Sequence, residues 1–515
     1  MDLIKLLEEN AKRFPDKSAV IFRDKPITFL ELRDRVFKLA YSLKDLGIKR
    51  ASKVAIYLPS CPEYIVSYLA VWFLGATAVP LDFMLTEDEL VSCLAHSETE
   101  LLIAKQKPTL LLNNLKTRCR DLRQIIVNYD KNKEPSGEKQ EYLSFKELSD
   151  RGGINISRRE IKPSDYAIIF YTSGTTGRPK GVLISYLQLG APPMAMQHFV
   201  DLNERDIVLC ALPFSHLGGL IYIQNNIVYG VTMVLMERFT PLEFLKNIQF
   251  YRVNCFWIVP SMYYAFLQLK EFESFDLSSL RWMVTFGASN SPEALRRFHK
   301  YCPQAHLLNG WGLTETNAPT AVIPLGSDNI ESVGMPAPWV DIKIFSSDGG
   351  TGKEEKELSA GEVGEIAVKG WVVTDGYYKD PVTSAEVMRD GWFYTGDLGK
   401  FDKEGYLYIV GRKKEMIKVG GEIVFEPEVE AVIQKHPAVI EAAVVAMPDK
   451  LRGEVPKAYV VLKEGQNVSE EDLRYFCRKH LAHFKLPHYF EFRQALPKNR
   501  VGKIDKEVLR KEVTK

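Results

Sequence analysis

The chain lacks an excess of charge of either sign. Its 515 residues include 67 Lys and Arg against 66 Asp and Glu, which gives a formal net charge of +1. Nucleic acids and acidic membrane surfaces attract proteins with a strongly basic face, and this balance gives no sign of one. We therefore expect no nucleic-acid partner.

Paired cysteines are also lacking. No two cysteines are spaced as C-x-x-C, and the seven are scattered along the chain: Cys61, Cys93, Cys119, Cys210, Cys255, Cys302 and Cys477. Disulfide frameworks and structural zinc sites both need recurring close pairs. The pattern indicates reduced thiols and a cytoplasmic location.

The N-terminus lacks the apolar stretch of a secretion signal. Residues 1–20, MDLIKLLEENAKRFPDKSAV, carry charges every few positions. That spacing excludes a signal peptide. It predicts an amphipathic helix that ends near Phe14 and Pro15.

A charge-free stretch, residues 64–81, approaches the length needed to cross a membrane. Gly75 and Pro80 interrupt it, and Asp82 follows directly. Both interruptions favour a buried helix that leads into a buried strand over a transmembrane helix. Contact with a membrane would then be peripheral at most.

Short β-branched runs alternate with helical patterns such as residues 28–47. The runs cover residues 53–59, 76–82, 100–105, 124–130, 206–213, 231–237, 255–260 and 281–287. Alternation of this kind predicts an α/β fold of mostly parallel sheets covered by helices. A β-rich segment is expected after them.

The texture of the sequence changes near Gly411–Lys414, where a compact α+β pattern begins. Helices are predicted at residues 428–439 and 469–482, and strands at 441–448, 457–464 and 488–497. A chain of 515 residues is too long for one core. We predict an N-terminal domain over residues 1–411 and a small, mobile domain over 412–515.

Residues 171–181, YTSGTTGRPKG, combine hydroxyls, glycines and a lysine after an apolar run. The groups suited to an anion are Thr172, Ser173, Gly174, Thr175, Thr176, Gly177 and Lys180. Hydroxyls and close backbone N–H groups bind phosphate, and lysine adds charge. A simple polar turn, the alternative, does not need this composition, so we predict a phosphate-binding loop.

The register of this loop excludes two common nucleotide motifs. A Walker loop needs a glycine five residues after its first glycine, but Pro179 occupies that place after Gly174. Lys180 is followed by Gly181 instead of Ser or Thr, and G-x-G-x-x-G is absent from the loop. The chain is neither a P-loop ATPase nor a Rossmann oxidoreductase.

The whole string YTSGTTGRPKG resembles the signature loop of the acyl-adenylate-forming (AMP-binding) superfamily. That superfamily includes acyl-CoA synthetases, luciferases and peptide-synthetase adenylation domains. Further segments that resemble it follow in family order up to Lys503. The resemblance implies ATP, Mg²⁺ and coenzyme A as partners in the activation of a carboxylic acid.

Residues 309–316, NGWGLTET, contain a hard oxygen ligand, a hydroxyl and a flat ring. Taken alone they also suit a capped glycine turn. By resemblance, Trp311 stacks on adenine, Thr314 contacts the α-phosphate and Glu315 holds Mg²⁺. Trp replaces the usual Tyr, which keeps the stacking and loses the phenol. The flanking residues of this nucleotide segment are Asn309, Gly310 and Gly312.

Residues 286–292, FGASNSP, resemble the family's turn that lines the adenine and acyl pocket. Phe286 replaces the first glycine of that turn, so a large ring is expected beside the substrate. Gly287 is assigned to the acyl pocket and Ala288 to the nucleotide. The shape of the pocket is therefore expected to differ from the family pattern.

Residues 212–220, LPFSHLGGL, end another predicted strand. A single histidine is more often structural than catalytic, but the resemblance makes His216 the gate of the thiol channel. Gly218 and Gly219 are expected to leave room for the acyl group. Because the segment carries no charge, we hypothesise an apolar acid, a fatty acid.

Residues 392–430 carry the second strong resemblance. Asp397 can accept both hydroxyls of a ribose, and Arg412 can donate to ribose or phosphate. Lys414 occupies the position of the interdomain hinge. The loop assigned to the thioester step contains Lys418, Gly420, Gly421 and Glu422.

Lys503 lies in a Gly-Lys-Ile turn near the end of the chain. A basic C-terminal segment is usually only a solvated face. The resemblance makes Lys503 the lysine that bridges carboxylate and α-phosphate during adenylation. The sequence thus predicts an ATP-dependent acyl-CoA synthetase.

Three alternatives stay open at this point. The acceptor could be an acyl carrier protein instead of coenzyme A. The acid could be aromatic instead of a fatty acid. A nucleotide-binding regulator without chemistry is the non-enzymatic alternative.

Overall fold

The computed structural model describes the chain except for residues 108, 130–141, 159, 173–179, 289, 291, 318, 347–355, 500–502 and 514–515. Contacts divide the chain into two units, each made of several stretches. Unit 1 comprises Met1–Phe256, Gly312–Thr320 and Trp371–Glu386, and unit 2 comprises Trp257–Trp311, Ala321–Gly370 and Val387–Lys515. The predicted boundary near residues 411–414 stays a prediction.

The helices follow the predicted apolar periodicity. They are α1 (Leu3–Arg13), α2 (Phe29–Asp45), α3 (Pro62–Phe73), α4 (Glu87–Ser97), α5 (Thr109–Arg118), α6 (Phe145–Arg151), α7 (Ala191–Val200), α8 (Leu217–Tyr229), α9 (Pro241–Tyr251), α10 (Pro260–Leu267), α11 (Pro292–His299), α12 (Pro381–Val387), α13 (Glu426–Gln434), α14 (Glu470–Arg478) and α15 (Lys506–Val513). Helix α1 ends at Arg13, as the sequence predicts.

The strands of unit 1 include all but the last of the eight predicted β-branched runs. They are β1 (Ser18–Phe22), β2 (Lys25–Thr28), β3 (Lys53–Tyr57), β4 (Thr77–Pro80), β5 (Leu101–Lys105), β6 (Gln124–Asn128), β7 (Leu143–Ser144), β8 (Tyr166–Thr172), β9 (Lys180–Ser185), β10 (Ile207–Cys210) and β11 (Thr232–Leu235), with β12 (Cys255–Ile258) at its boundary.

The strands of unit 2 begin with the last predicted run. They are β13 (Trp282–Thr285), β14 (His306–Trp311), β15 (Ala321–Val322), β16 (Met335–Pro336), β17 (Asp341–Phe345), β18 (Gly364–Lys369), β19 (Met388–Arg389), β20 (Trp392–Phe401), β21 (Leu407–Arg412), β22 (Met416–Val419), β23 (Glu422–Phe425), β24 (Val439–Asp449), β25 (Gly453–Leu462) and β26 (Tyr489–Arg493).

A seven-stranded sheet in unit 1 has the order β7-β6-β5-β3-β4-β8-β9. Its neighbours are parallel from β7 to β8, and β9 runs antiparallel to β8. Strands β3, β4 and β5 are almost wholly buried, as expected where helices cover both faces of a parallel sheet. The predicted α/β fold is confirmed.

The charge-free residues 64–81 form the buried part of α3 and then β4, as predicted. Gly75 separates the two elements with a φ of 69°, in the left-handed region that glycine enters at least cost. Within the described residues, no helix is both long and apolar enough to cross a membrane.

A second set of strands in unit 1 pairs in the order β10-β11-β1-β2. The first two pairings are parallel and the last is antiparallel. Helix α8 begins a few residues after β10, and His216 is the residue that immediately precedes it in the sequence. All seven cysteines lie within the described residues, where each is buried and none forms a disulfide.

Unit 2 contains the predicted β-rich segment. Strands β13 and β14 are parallel, and β14, β15 and β16 continue in antiparallel order. A separate antiparallel sheet has the order β17-β18-β20-β19, with β21 paired to β20. The pairing of β20 and β21 is what brings two predicted site residues opposite each other.

The C-terminal part of unit 2 forms a sheet of order β23-β22-β25-β24, with β26 parallel to β25. Helices α13 and α14 pack on it through a core that includes Val429, Leu473 and Phe490. The elements predicted between residues 428 and 497 all form. Helix α13 ends three residues before Pro437, because a proline disfavours helix at the residue before it.

Candidate active site

The predicted phosphate loop joins two antiparallel strands of unit 1. Strand β8 ends at Thr172 and β9 begins at Lys180, and these two residues are register partners. The predicted residues Ser173, Gly174, Thr175, Thr176 and Gly177 lie outside the described residues. A Cβ on Gly181 would lie 2.9 Å from Ile169 Cγ2, so only glycine fits where the second strand starts.

Tyr377 connects the loop lysine with the predicted metal ligand. The Lys180 Nζ lies 5.0 Å from the centroid of the Tyr377 ring. The Tyr377 hydroxyl donates a hydrogen bond of 2.9 Å to Glu315 Oε1. Lys180 and Glu315, predicted from separate motifs, thus contact one aromatic side chain.

Backbone contacts fix Tyr377 in this place. Its N–H donates to Ser384 Oγ at 2.9 Å, and the following N–H, of Tyr378, donates to Gly181 O at 2.7 Å. Burial and the neighbouring Glu315 raise the pKa of Tyr377, so the phenol stays protonated and remains a donor. Sequence reasoning missed this residue, since a tyrosine in a turn carries no chemical signature.

Thr314 and Glu315 lie together in a 3₁₀ turn, Thr314–Thr316, which follows Gly312. The Thr374 N–H donates to Glu315 O at 2.7 Å, so the backbone of the turn is also held. Both Thr314 and Glu315 are partly exposed. Their hydroxyl and carboxylate are therefore accessible to a ligand.

Glu315 fits a metal that is shared with a phosphate. Mg²⁺ in such sites is held by one or two carboxylates together with substrate phosphates and waters. In the part of the chain that the structure describes, no group of three or more His, Cys, Asp or Glu could enclose a metal ion. A single carboxylate beside a lysine suits a Mg²⁺ that arrives with a nucleotide.

In unit 2, Asp397 contacts two other predicted residues, Trp311 and Arg412, and the three residues lie on three different strands. Asp397 on β20 is the register partner of Arg412 on β21, and Arg412 Nε lies 2.7 Å from Asp397 Oδ1. The Trp311 indole N–H donates to Asp397 Oδ2 at 2.9 Å. Burial raises the pKa of Asp397, while Arg412 and Trp311 oppose that rise.

Lys503 completes this group. Its Cε lies 3.3 Å and its Nζ 3.6 Å from the point where a Cβ on Gly287 would stand. Gly287 also has a φ of 89°, so a side chain there would be strained and would crowd the lysine. Burial and the nearby Arg412 lower the pKa of Lys503, and Asp397 opposes this effect.

A buried ion network anchors the segment that carries Lys503. Helix α15 begins with Lys506, whose Nζ lies 2.9 Å from Glu426 Oε2 and 2.6 Å from Glu430 Oε1. Arg510, one turn further, lies 3.0 Å from Glu426. Glu426 is 1% exposed. The turn before α15 is thereby held to α13.

The Asn309 side chain forms hydrogen bonds with other residues of unit 2. Its Nδ2 donates to Ser332 O at 2.8 Å, and its Oδ1 accepts from Asn290 Nδ2 at 2.5 Å. A Cβ on Gly310 would lie 3.2 Å from Ala321 O, so the strand packs closely there. These contacts hold the end of β14, from which Trp311 projects.

Phe286 and Ala288 follow strand β13. The Phe286 N–H donates to Ile258 O at 3.2 Å. This bond extends the pairing of β12 with β13 by one residue. The Phe286 side chain is half-buried and Ala288 is exposed. Their predicted roles beside the acyl group and the nucleotide stay predictions.

His216 caps the start of helix α8 in unit 1. Its Nε2 lies 3.4 Å from Asp82 Oδ2, so the ring is oriented by a carboxylate. A Cβ on Gly219 would lie 2.1 Å from Pro213 O. Glycine is needed at 219 for this close approach of the backbone, a packing reason that the sequence did not reveal.

Helix α8 begins with apolar residues, but further along it carries a buried polar residue, Asn225. Asn225 is 0% exposed, and among the described residues neither its Oδ1 nor its Nδ2 has a hydrogen-bond partner. A buried amide without partners is costly. Asn225 is therefore a candidate for contact with a polar group of a ligand.

The predicted hinge residue and the loop assigned to the thioester step lie close together in the sequence of unit 2. Lys414 is exposed in a 3₁₀ turn, Lys413–Glu415, just before β22. Gly420 and Gly421 form the turn between β22 and β23 with φ values of 59° and 96°. The Lys418 and Glu422 side chains at its two ends are exposed.

Comparison with known proteins identifies the family. The family model for AMP-binding enzymes matches residues 7–378, which is more than half of the chain. The chain belongs to the AMP-binding enzyme family. The model for the C-terminal domain of AMP-binding enzymes matches residues 428–503. The predicted superfamily is confirmed.

The relatives of this AMP-binding enzyme include CoA ligases for different acids. The long-chain-fatty-acid–CoA ligase of Bacillus subtilis is 35% identical, over 99% of this chain and 94% of that protein. The 2-succinylbenzoate–CoA ligase of Bacillus licheniformis is 32% identical, over 98% of both. The crystal structure of an anthranilate CoA ligase with anthranoyl-AMP has a TM-score of 0.92 at 26% identity, covering 100% of this chain and 97% of that one.

This AMP-binding enzyme is accordingly an AMP-forming acid–thiol ligase of the acyl- or aryl-CoA type. ATP and coenzyme A are its substrates, as predicted. The non-enzymatic alternative is thereby set aside. The relatives named above act on aliphatic and on aromatic acids, so they do not decide which acid this chain activates.

Proposed function

We propose that this AMP-binding enzyme activates a fatty acid. In the first step a carboxylate oxygen attacks the α-phosphorus of ATP, and pyrophosphate leaves. In the second step the thiol sulfur of coenzyme A attacks the acyl carbon, and AMP leaves. The observation that carries the proposal is the group formed by Trp311, Asp397, Arg412 and Lys503 in unit 2.

Three members of that group, Asp397, Arg412 and Lys503, have proposed roles in the first step. Asp397 accepts hydrogen bonds from the ribose hydroxyls, and Arg412 donates to ribose or phosphate. The Lys503 ammonium bridges the carboxylate and the α-phosphate, which repel each other without it. Positioning and electrostatic stabilisation of this kind supply most of the catalysis in phosphoryl-transfer chemistry.

The residues of unit 1 hold the leaving group in this proposal. Thr172, Lys180 and the loop between them bind the β- and γ-phosphates. Glu315 holds Mg²⁺, which would neutralise phosphate charge. The contact of Tyr377 with both Lys180 and Glu315 supports a common role for these two residues.

The second step needs Lys503 to give way to a thiol. We propose that residues 412–515 pivot about Lys414 and bring the loop from Lys418 to Glu422 to the acyl group, while His216 gates the thiol. The exposure of Lys414, Lys418 and Glu422 supports this movement. The lack of disulfides among the seven cysteines, all of them described, supports a reducing, cytoplasmic setting.

A fatty acid is favoured by the 35% identity to a long-chain-fatty-acid–CoA ligase and by the charge-free residues 212–220. An aromatic acid with a second polar group is the alternative. Asn225, buried without partners, favours it, as does the similarity to a 2-succinylbenzoate–CoA ligase.

A panel of carboxylic acids assayed for pyrophosphate release tests the proposal. We expect long-chain fatty acids to give the highest kcat/KM, with a thioester formed on coenzyme A and none on an acyl carrier protein. Preference for aromatic acids, lost in Asn225→Leu, would establish the alternative. Release of pyrophosphate with thioester formation only on the carrier protein would overturn the choice of acceptor.

A further inference from the structure

We infer that Trp311 is a positioning residue for the ribose of ATP, because its indole N–H holds the Asp397 carboxylate in the orientation that the two ribose hydroxyls need. The inference rests on the proposed role of Asp397 in the first step. Trp311 then has a second role besides stacking on adenine, and this role depends on the hydrogen atom of its indole N–H.

The geometry of Asp397 leaves a defined number of free acceptor positions. A carboxylate has about four positions for hydrogen bonds, two on each oxygen. Arg412 takes one on Oδ1 at 2.7 Å, and Trp311 takes one on Oδ2 at 2.9 Å. Within the described residues, one position stays on each oxygen, which matches the two neighbouring hydroxyls of a ribose.

Burial makes this arrangement rigid. Trp311 is 7% exposed and Asp397 is 4% exposed, so little water reaches their hydrogen bond. A charge-assisted hydrogen bond is stronger where water is excluded. The carboxylate is held by Arg412 from the neighbouring strand and by Trp311 from β14, and rotation would break both contacts.

Tryptophan suits this place better than the other aromatic residues. The indole N–H donates and cannot accept, so it cannot compete with Asp397 for the hydroxyls of the nucleotide. Phenylalanine keeps a flat ring and has no donor. Trp311→Phe therefore separates the hydrogen bond from the stacking.

Equilibrium binding of ATP and of 2′,3′-dideoxy-ATP, measured by calorimetry without any acid, tests the inference. For the unchanged protein we expect ATP to bind at least about tenfold more tightly, since the two hydroxyls bond to a carboxylate. Trp311→Phe should weaken ATP binding about tenfold and dideoxy-ATP binding less than about twofold. Equal weakening of both nucleotides would mean that Trp311 only stacks, and would overturn the inference.

Failure of the proposed function gives a different result. If the unchanged protein bound ATP and dideoxy-ATP equally, the ribose role of Asp397 would be wrong, whatever Trp311 does. Trp371→Phe, the same substitution at an exposed position of unit 1, is the matched control and should leave both affinities unchanged. Trp311→Tyr provides a second variant if the phenylalanine variant does not fold, and a penalty for ATP alone is again expected.

The pH dependence of ATP binding gives an independent readout. The charged groups that act on Asp397 are Arg412, Lys503 and Glu415, and burial already raises its pKa. Loss of the indole donor removes one stabilising contact of the carboxylate and raises that pKa further. In Trp311→Phe, ATP binding should therefore be lost at a higher pH than in the unchanged protein as the solution is acidified. An unchanged acid limb would contradict the inference.

Discussion

The two groups of candidate site residues are held together in different ways. In unit 2, Asp397 contacts Trp311 and Arg412 directly, and all three were predicted from motifs. In unit 1, Lys180 and Glu315 meet through Tyr377, which no motif indicated. The charged residues proposed for the reaction were recognisable in both groups, but the tyrosine that contacts two of them was not.

The difference follows from what each side chain offers. Asp, Arg and Lys are recognisable in a motif, because only a few residue types can form a charge-assisted hydrogen bond with a charged or polar group of a ligand. A tyrosine that donates one hydrogen bond and presents one ring face is chemically ordinary, and it matters here only because of where the fold places it. The predictions below test whether the two groups respond differently when one member is removed.

The largest effect is expected in unit 2, from Lys503→Ala. Loss of a charged contact in the transition state should lower the rate of acyl-AMP formation about 10²- to 10³-fold. Thioester synthesis from presynthesised acyl-AMP should be retained, because the proposed role of Lys503 is confined to the first step. Pyrophosphate exchange and thioester formation measured separately give the two rates.

Lys479→Ala is the control for this experiment, since Lys479 is an exposed lysine of the same C-terminal region. Both half-reactions should be unaffected there. An equal loss of both half-reactions in Lys503→Ala would contradict the exchange of Lys503 for the loop from Lys418 to Glu422.

A smaller effect, on stability, is expected from Glu426→Gln. The substitution removes the buried charge that Lys506 and Arg510 share, and breaking such a network costs about 3 kcal/mol of unfolding free energy. Chemical denaturation would measure it. Glu507→Gln, at a well-exposed partner of Arg510, should change little. Similar values for the two variants would mean that the network does not anchor the segment of Lys503.

In unit 1, Tyr377→Phe should have an effect of about tenfold. The variant loses the hydrogen bond to Glu315 and keeps the ring beside Lys180. We expect a higher Mg²⁺ concentration for half-maximal activity and a higher KM for ATP, with weaker Mn²⁺ binding in the presence of ATP by paramagnetic resonance. Tyr378→Phe, at the adjacent residue whose hydroxyl bonds Glu98, is the control. If both variants behaved alike, the connection through Tyr377 would have no function.

The smallest effect concerns the pH dependence of the first step. Burial and Arg412 lower the pKa of Lys503, and the proposed role needs the protonated ammonium. Acyl-AMP formation should therefore be constant at lower pH and should decline as the pH rises through that lowered pKa, below the usual range for lysine. In Arg412→Gln the decline should move to higher pH, whatever happens to the rate. A decline that did not move would assign the alkaline limb to another group.

Much of the fold could be predicted from the sequence. The strands β3 to β6 and β10 to β13 were visible as β-branched runs, because strands buried in a parallel sheet must be apolar throughout. The interruption at Gly75 was visible because glycine and proline restrict local backbone geometry in known ways. The C-terminal α+β pattern was visible in the periodicity of residues 428–497.

The features that could not be predicted from the sequence share one cause. Gly219 was interpreted as room for an acyl group, but its Cβ position is filled by the backbone of Pro213. Asn225 attracted no notice, because an amide in a helix is unremarkable until it is found buried without partners. Both depend on contacts between residues that no local pattern encodes.

The sequence by itself determined the family of the chain, the α/β class and the charged residues that are proposed for the reaction, since these follow from residue types in fixed local order. Only the tertiary structure decided that Trp311 donates to Asp397, that Lys503 lies against Gly287 and that Tyr377 contacts both Lys180 and Glu315. Contacts of this kind join residues that are tens to hundreds of positions apart, and their geometry is fixed by how the strands and helices pack.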